Sequence, residues 1–362
     1  MSQRVLPRLT RAAVAATTVA LAATTFAAPA SAGERERDRS SATGWVVGEL
    51  EDGRFHSDRF GGFDDWGLTI DGLFALAADP DRTRAAKRVG RAVRNHVDDY
   101  TVYQGDRAAG ATGKVLLAAR VLGADPRSFG GHDVRGDLLG LLDRRGADRG
   151  RLKDSGTTDF SNTLGQAYGV LGLSRSGGVP ASAVHFLLEQ RCSEGYFRLA
   201  MTSATTCNDD SASADVDATA LAVQALVAAD RRGGVSVRDR LIERSGAWLA
   251  RAQRRSGGFG GGVATAATNT NSTGVAAQAL SLTGHDAAVR EAGQYVANMQ
   301  VVRADGRRLA GDRGAIAYNR EGLRLARQQG ITAETRDQFR RATTQAVFAL
   351  KPAPLGGLTV RR

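Results

Sequence analysis

The sequence is poor in cysteine, and this scarcity excludes several kinds of site. Only Cys192 and Cys207 occur in 362 residues. In an exported protein such a pair forms one disulfide that closes a short loop, worth about 3 kcal/mol. No histidine lies near them in the sequence, so a zinc site of the usual Cys/His type is not expected. We predict a Cys192–Cys207 disulfide, no metal and no cofactor.

Lysine is scarce as well, although the chain is strongly basic. The formal net charge is +11 and only four lysines occur, so nearly all of the positive charge comes from arginine. The arginines are scattered at spacings typical of solvated outer helix faces and form no continuous stripe. We therefore expect no nucleic-acid partner.

Long apolar runs are absent after residue 32. Before that point, Arg4, Arg8 and Arg11 precede the apolar run Ala12–Ala28, and small residues fill positions 30–32. This order of segments is typical of a secretory signal peptide. We predict a signal peptide over 1–32, cleaved after Ala32, and a secreted chain with no stable membrane insertion. The charged, Ser-rich residues 33–43 are expected to form a disordered leader.

Internal repeats are the most informative feature of the sequence. The ten residues from Asp217 recur without a gap from Asn271 and from Asn162, and weaker copies begin near Thr69, Gly110 and Asn319. The spacing between copies is 41, 52, 55, 54 and 48 residues. A repeat of this length holds two helices and their connections. Six such units predict an all-α chain.

The helices of the six units fall into two classes. One class is small and apolar nearly all round, which indicates burial on both sides; the other is amphipathic and charged, which indicates one solvated face. The predicted apolar helices are Leu68–Ala78, Thr112–Leu122, Asn162–Ser174, Ala214–Ala229, Thr273–Leu282 and Ala315–Arg327. The predicted amphipathic helices are Arg82–Val97, Val134–Arg144, Pro180–Arg191, Val235–Arg254, Asp286–Gln300 and Ala333–Leu350.

Apolar inner helices favour a closed ring over an open solenoid, because the concave helices of a solenoid would face water. The sequence therefore predicts an (α/α)₆ toroid over residues 44–350, in which an inner ring of six helices lies inside six outer ones. Residues 351–362 are expected to be a C-terminal tail. Nothing in the pattern indicates self-association, so we expect a monomer.

A second repeat lies at the ends of the amphipathic helices. Trp248–Gln253 is followed by Gly257 and Phe259, and partial copies end at Gln190 and Gln300. This pattern resembles the QW motif of squalene cyclases and the related repeat of protein prenyltransferases. In those families the glutamine side chain ties an outer helix end to the following loop. The resemblance implies the terpenoid-cyclase and prenyltransferase type of toroid and says little about chemistry.

The starts of the inner helices converge on one end of such a ring. The equivalent positions are Thr69, Gly110, Asn162, Asp217, Asn271 and Asn319. Asp, Asn and Thr there are typical of helix N-caps. Converging caps and helix N-termini also create a polar mouth above small apolar residues, which suits a ligand. We predict ligand contacts from Thr69, Asn162, Asp217, Thr219, Asn271, Tyr318 and Asn319.

The segment from Asp215 to Ala220 resembles the Asp-x-Asp-Asp-Thr-Ala motif of class II terpenoid cyclases. The resemblance implies that Asp217 is the acid that protonates an alkene or epoxide, with Asp215 as its companion and Thr219 as a hydrogen-bonding neighbour. Ala218 stands where the family has a third acidic residue. Such chemistry needs a neutral carboxyl held ready in a dry pocket.

Three functions remain open at this stage. The first is a secreted, non-catalytic protein that binds a small-molecule or cell-wall-type ligand at the polar mouth, as the helical ring of the cobalamin carriers suggests. The second is a cyclase-like acid catalyst that uses Asp217. The third is a glycan-active toroid enzyme, for which Tyr318, Asn319 and the five histidines are candidates. The long loop Gly195–Ala212 is predicted to lean over the mouth.

Overall fold

The computed structural model describes residues 32–58, 62–201, 207 and 214–361. Helices dominate this part of the chain, and its strands are three short two-stranded hairpins. The helices are α1 (Ala32–Gly48), α2 (Trp66–Ala77), α3 (Thr83–Asn95), α4 (Val97–Thr101), α5 (Ala109–Val121), α6 (Val134–Gly140), α7 (Thr163–Ser174), α8 (Ala181–Glu189), α9 (Val216–Arg232), α10 (Asp239–Ala252), α11 (Thr270–Leu282), α12 (Asp286–Ala297), α13 (Arg320–Gln329) and α14 (Ala333–Leu350). The strands are β1 (His56–Ser57), β2 (Phe63–Asp64), β3 (Val102–Tyr103), β4 (Asp106–Arg107), β5 (Phe197–Arg198) and β6 (Ala214–Asp215), paired in sequence order.

Six helices form a closed inner ring. Helices α2, α5, α7, α9, α11 and α14 each pack on the next, and α14 packs back on α2. Helices α3, α6, α8, α10, α12 and α1 lie against the outside of this ring. Ala75, Ala118, Ala225 and Ala279 on the inner helices are fully buried, as expected of helices enclosed on both sides. The predicted (α/α)₆ toroid is confirmed.

The sixth helix pair differs from the prediction. Residues 315–327 were expected to form the inner helix and 333–350 the outer one, but α14 is the inner helix and α13 lies at the periphery. Helix α13 buries only Leu323 and Ala326. The arginines of α14 suggested a solvated face, yet Arg340 is buried and pairs with Glu49 at 2.8 Å.

The outer helix of this sixth pair comes from the other end of the chain. Residues 33–43, predicted to be a disordered leader, belong to α1, so that prediction is wrong. Ala42, Thr43, Trp45 and Val46 are buried, and α1 packs on α14. The many charged residues of this segment suggested disorder, although the segment also contains a short apolar stripe. Residues 1–31, which carry the predicted signal peptide, lie outside the described part, and the peptide stays a prediction.

One hydrogen bond recurs in four of the inner helices, where a threonine hydroxyl accepts from the backbone N–H of an earlier loop. Thr69 Oγ1 accepts from Phe55 N at 3.0 Å, Thr219 Oγ1 from Phe197 N at 2.8 Å, and Thr273 and Thr343 do the same for Phe259 and Ile316. In α7, Gln166 Oε1 accepts from Leu152 N. The repeated threonines therefore satisfy buried backbone donors.

Glycines allow α5 and α7 to approach closely. A Cβ atom at Gly113 would lie 2.7 Å from Gly169 N, and one at Gly165 would lie 2.9 Å from the Cα of Gly110. These contacts are shorter than side chains allow, so only glycine fits between α5 and α7 here. Alanine at any of these positions would push the two helices apart.

Two glutamines of the second repeat, Gln253 and Gln300, act as the resemblance implied. Gln253 Nε2, just after α10, donates to the carbonyls of Gly257 and Ala288, both at 2.8 Å. Gln300 Nε2 donates to the carbonyls of Asp38 and Gly314. Each glutamine thus joins its own loop to a neighbouring outer helix and stabilises the wall of the toroid.

Two further expectations concern the compartment of the protein. Cys192 and Cys207 form the predicted disulfide, which suits an oxidising compartment. A search of the described helices found none that combines the length and the apolar character needed to span a bilayer.

Candidate active site

A cavity of about 220 Å³ lies on the axis of the inner ring. Its wall is mainly apolar and includes three aromatic rings, together with a few polar side chains. The lining residues are Asp71, Phe74, Leu164, Tyr168, Asp217, Leu221, Val275, Gln278, Thr344, Gln345, Phe348 and Leu355. Five of the six inner helices contribute to it. We call this space the central cavity.

A wider cavity of about 1020 Å³ opens above the central cavity, at the end where the inner helices begin. Leu164 and Asp217 line both spaces, so they mark the passage between them. The wider cavity, here called the mouth, also carries Arg151, Asp159 and Arg198, and Arg151 pairs with Asp159 at 2.7 Å. Exposed Phe160 and Val263 add apolar surface at its rim. Charged side chains thus lie at this end of the ring, although most of the lining surface is apolar, as in the central cavity.

Asp217 does not cap its helix. The N-cap of α9 is Asp215, whose Oδ1 accepts from Ala218 N at 2.8 Å. Asp217 lies in the first turn of α9, and its Oδ1 atom is buried without a hydrogen-bond partner in the described part of the chain. A buried acceptor without a partner is costly and needs an explanation. An incoming ligand, or a proton carried by the carboxyl itself, supplies one.

The surroundings of Asp217 favour its neutral form. Burial, assisted by the nearby charge of Asp215, raises the pKa of Asp217 to about 6, although a hydrogen bond with Ser272 acts to lower it. Burial also raises the pKa of Asp215, while backbone amides act against this. A carboxyl like that of Asp217 still carries its proton in a sizeable fraction of molecules near neutral pH.

The glycine loop after α10 presses against both carboxyl groups. A Cβ atom at Gly262 would overlap Asp215 Oδ2, and one at Gly261 would lie 2.6 Å from Asp217 Oδ2. Only glycine lets the backbone come this close. The loop therefore covers the acid pair and helps to exclude water from it.

A second polar group lies on the opposite wall. Lys114 Nζ pairs with Asp71 Oδ1 at 2.6 Å, and both side chains are largely buried. Lys114 also donates to the Gly67 carbonyl and lies 5.5 Å from the centre of the Tyr168 ring. Desolvation alone would lower the pKa of Lys114, but the charge of Asp71 and the neighbouring Tyr100 and Tyr168 together raise the pKa above the usual value. Lys114 therefore keeps its proton at neutral pH.

A chain of side-chain amides links this ion pair to α11. Gln345 Nε2 donates to Asp71 at 3.2 Å, and Asn271 Nδ2 donates to Gln345 Oε1 at 2.8 Å. Asn271 Oδ1 is buried and has no partner among the described residues. Asn271, predicted as a helix cap, instead lies in the first turn of α11, whose cap is Asn269. Asn271 and Asp217 thus occupy equivalent places on adjacent helices.

Some of the other predicted ligand residues lie near the cavities, and the rest have structural roles. Asn162 caps α7 and lines the mouth. Tyr318 is half-buried, and burial and the Asp217 charge both raise its pKa, so it lies within electrostatic reach of the acid. Thr69 and Thr219 are fully buried loop anchors that line neither cavity. Asn319 caps the peripheral helix α13 through Gly322 N.

The long loop Gly195–Ala212 is only partly described. Leu199, Ala200, Met201 and Cys207 line the mouth, as the prediction required of this loop. Positions 202–206 and 208–213, which include Asp209 and Asp210, lie outside the described residues. The disulfide holds Cys207 near the end of α8 and so fixes one side of the mouth.

Sequence reasoning missed the Asp71–Lys114 pair, Tyr168 and the glycine loop at 260–262. The sequence did contain one indication of the Asp71–Lys114 pair. Both residues are isolated charges within apolar helices, and a charge is rarely buried there unless it is paired. The glycine run was visible too, but only the structure shows that it lies against Asp215 and Asp217.

Comparison with known proteins identifies the fold. No family model and no curated protein matches the chain. Among solved structures, the type II terpene cyclase MstE from Scytonema in complex with geranylgeranyl dihydroxybenzoate matches with a TM-score of 0.59 and 17% identity, covering 90% of this chain and 98% of that one. A cellobiose 2-epimerase from Bacillus thermoamylovorans matches with a TM-score of 0.62 and 9% identity, covering 87% and 98%.

A protein from Actinoplanes also matches, with a TM-score of 0.55 and 17% identity, over 88% of this chain and 99% of that one. Sequence identities this low support a shared fold but not a shared chemistry. Together with the closed ring of helices, these structural matches show that this chain has the α/α-toroid fold shared by terpenoid cyclases and sugar-active toroid enzymes.

Proposed function

We propose that the protein is an acid-catalysed cyclase of the class II terpenoid type, in which Asp217 protonates an apolar polyene or its terminal epoxide. The single observation that supports this most strongly is the buried Asp217 Oδ1, which lacks a partner at the top of an apolar cavity. The raised pKa keeps a proton available there. An epoxide oxygen accepts a proton more readily than an alkene carbon, so a carboxyl with this pKa suits the epoxide best.

The reaction would proceed without any redox partner. The proton of Asp217 moves to the epoxide oxygen, the C–O bond breaks, and the electron pair of a neighbouring double bond forms a new C–C bond. The positive charge then lies in the central cavity, where the rings of Phe74, Tyr168 and Phe348 can stabilise it. Loss of a proton from the final cation yields an isomer of the substrate.

Asp71 is the other carboxylate on the wall of the central cavity. It pairs with Lys114, and it lies on α2, across the ring from α9. A carboxylate in this position can accept the proton that ends the reaction. Asp217 regains its proton from water through the mouth. The two carboxyl groups thus have separate roles, set by their different surroundings.

The two competing functions fit the site less well. A non-catalytic binding protein was expected to have Asp217 spent on capping, yet Asp215 caps α9 instead. The toroid relatives above with a printed activity are also enzymes. A glycan-active site would use a histidine or tyrosine base, but among the described residues no histidine lines either cavity. Burial raises the pKa of Tyr168 and of Tyr318, which makes each harder to ionise and so less suited to act as a base. A largely apolar wall also suits a hydrocarbon better than a sugar.

The test is a product assay with defined substrates. Purified protein is incubated with the terminal epoxides of geranyl, farnesyl and geranylgeranyl acetate, and products are analysed by gas chromatography with mass detection. We expect a ring product of unchanged mass from at least one of them. Asp217→Asn, which keeps the shape of the side chain but cannot act as the acid, should lower its rate by about 10²–10⁴-fold.

Asp81→Asn is the matched control, because Asp81 is an exposed carboxyl remote from both cavities. It should cyclise at the wild-type rate. Equal rates for wild type and Asp217→Asn would remove Asp217 as the acid. Absence of product from every substrate would count against cyclase chemistry of this kind.

A further inference from the structure

The C-terminal segment 351–361 closes the end of the inner ring opposite the mouth. Gln278 Nε2 donates to the Ala353 carbonyl at 2.8 Å, and Leu355 N donates to Gln224 Oε1 at 3.0 Å. Gln224 and Gln278 are both buried and hold the same position in two copies of the ten-residue repeat. The glutamine of that repeat therefore binds the C-terminal segment.

Further contacts carry the segment across the ring. Arg175 at the end of α7 donates from Nη1 to the Leu355 carbonyl at 2.8 Å and from Nη2 to the Leu358 carbonyl at 2.6 Å. Val360 N donates to the carbonyl of Val121 at the end of α5. Leu355, Leu358 and Val360 are buried. The segment is thus bound to α5, α7, α9 and α11 and is a fixed part of the fold.

Leu355 is the one residue of this segment that lines the central cavity. Its backbone is held at the level of Gln224, seven residues after Asp217 on α9. Seven residues of helix span about 10 Å, so Leu355 lies roughly that far below the acid along the ring axis. The Leu355 side chain is therefore the floor of the space that begins at Asp217.

We infer that Leu355 sets the depth of the central cavity and so determines the length of the apolar ligand that it accepts. The inference deepens the proposed function, since it concerns the substrate class of the same cavity. A ligand held with one end at Asp217 extends toward the floor until it meets this side chain. Leu355→Ala removes three carbon atoms from the floor and makes room for about as many more in the ligand. Leu355→Phe extends the floor upward and shortens the space.

The test measures binding and not turnover. Saturated primary alcohols from butanol to dodecanol are titrated calorimetrically into wild type, Leu355→Ala and Leu355→Phe. These probes lack a double bond or epoxide, so they cannot react. We expect the preferred length to rise by about three carbons in Leu355→Ala and to fall in Leu355→Phe. Each methylene gained or lost should change Kd about fourfold, the value of one buried CH₂ group.

Leu358→Ala is the matched control. Leu358 is buried in the same segment but does not line the central cavity, so the preferred length should stay that of wild type. The same preferred length in wild type, Leu355→Ala and Leu355→Phe would overturn the inference, as would failure of every alcohol to bind wild type. If Leu355→Ala does not fold, the shift to shorter alcohols in Leu355→Phe still decides the matter.

The result of the alcohol titration is independent of the result of the cyclase assay. A length shift with unreactive alcohols would stand even if Asp217→Asn cyclised at the wild-type rate, in which case only the proposed chemistry would fail. Conversely, cyclisation that depends on Asp217, without any length shift, would leave the chemistry intact and remove Leu355 as the floor.

Discussion

Replacing Asp217 by asparagine should stabilise the protein, and by an amount that depends on pH. Burial raises the pKa of Asp217 from 3.8 to about 6. At 1.36 kcal/mol per pKa unit, this shift corresponds to about 3 kcal/mol. The native state holds the proton more tightly than the unfolded state, so its stability is highest below pH 4. It falls as the pH rises from about 4 to about 6 and then stays low. The asparagine side chain of the variant is neutral at every pH, so the variant does not lose this stability as the pH rises.

The assay is urea unfolding of wild type and Asp217→Asn between pH 4 and pH 8. The difference in unfolding free energy should increase in favour of the variant by about 2.5 kcal/mol over this range, most of it before pH 6.5. Asp81→Asn should show no such trend, because that carboxyl is exposed. A difference between wild type and Asp217→Asn that does not change with pH would refute the claim that burial raises the pKa of Asp217.

Asp215→Asn separates the charge of the companion from its capping role. Asparagine caps a helix as well as aspartate does, so α9 should keep its start. Removing the Asp215 charge takes away one cause of the raised Asp217 pKa. The pH window in which stability is lost should therefore end at a lower pH in this variant. An unchanged window would mean that burial alone sets the pKa of Asp217.

Three further outcomes follow from the packing. Gly262→Ala should displace the Asp215 carboxylate, because its Cβ would overlap Oδ2; cyclisation should fall and the cap should weaken by about 1 kcal/mol. Replacing Cys192 and Cys207 together by alanine should lower the unfolding free energy by about 3 kcal/mol, measured by urea unfolding. Thr343→Val should leave a buried loop N–H without its acceptor and cost about 1–3 kcal/mol by the same method.

Each of these outcomes has a comparison that could contradict it. Gly311→Ala is the control for the glycine variant, since a Cβ there meets nothing within 4 Å; equal effects at the two glycines would show that the contact with Asp215 is unimportant. If the cysteine variant unfolds like wild type, the disulfide does not constrain the chain. Thr343→Ser, which keeps the hydroxyl, should be milder than Thr343→Val; the reverse order would contradict the loop-anchor role.

The ring could be predicted from the sequence because each unit repeats the same chemistry. Small apolar helices can only be buried on both sides, and six of them can all be buried only if the ring closes. The sixth pair misled this reasoning because α14 carries Arg336, Arg340 and Arg341 near its start, which looks like a solvated face. Glu49 accepts hydrogen bonds from Arg336 and Arg340, and that acid comes from the far end of the chain. No local pattern reveals such a partner.

The candidate site was predictable only in part. Asp215 and Asp217 were both recognised, but alignment of repeats cannot tell a helix cap from a residue in the first turn. The cap falls on Asp215 because its side chain reaches Ala218 N, a matter of backbone geometry. The Asp71–Lys114 pair depends on the distance between α2 and α5, and the floor depends on the path of residues 351–361. Both are long-range features that composition and spacing do not encode.

A carbon-13 NMR titration of the aspartate side-chain carboxyls tests the central claim most directly. Comparison of wild type with Asp217→Asn assigns the Asp217 signal, and the chemical shift is followed from pH 3 to pH 8. The account predicts a midpoint near pH 6, far above that of an ordinary aspartate. A midpoint at or below pH 4 would show that Asp217 carries almost no proton at neutral pH and would contradict its role as the acid.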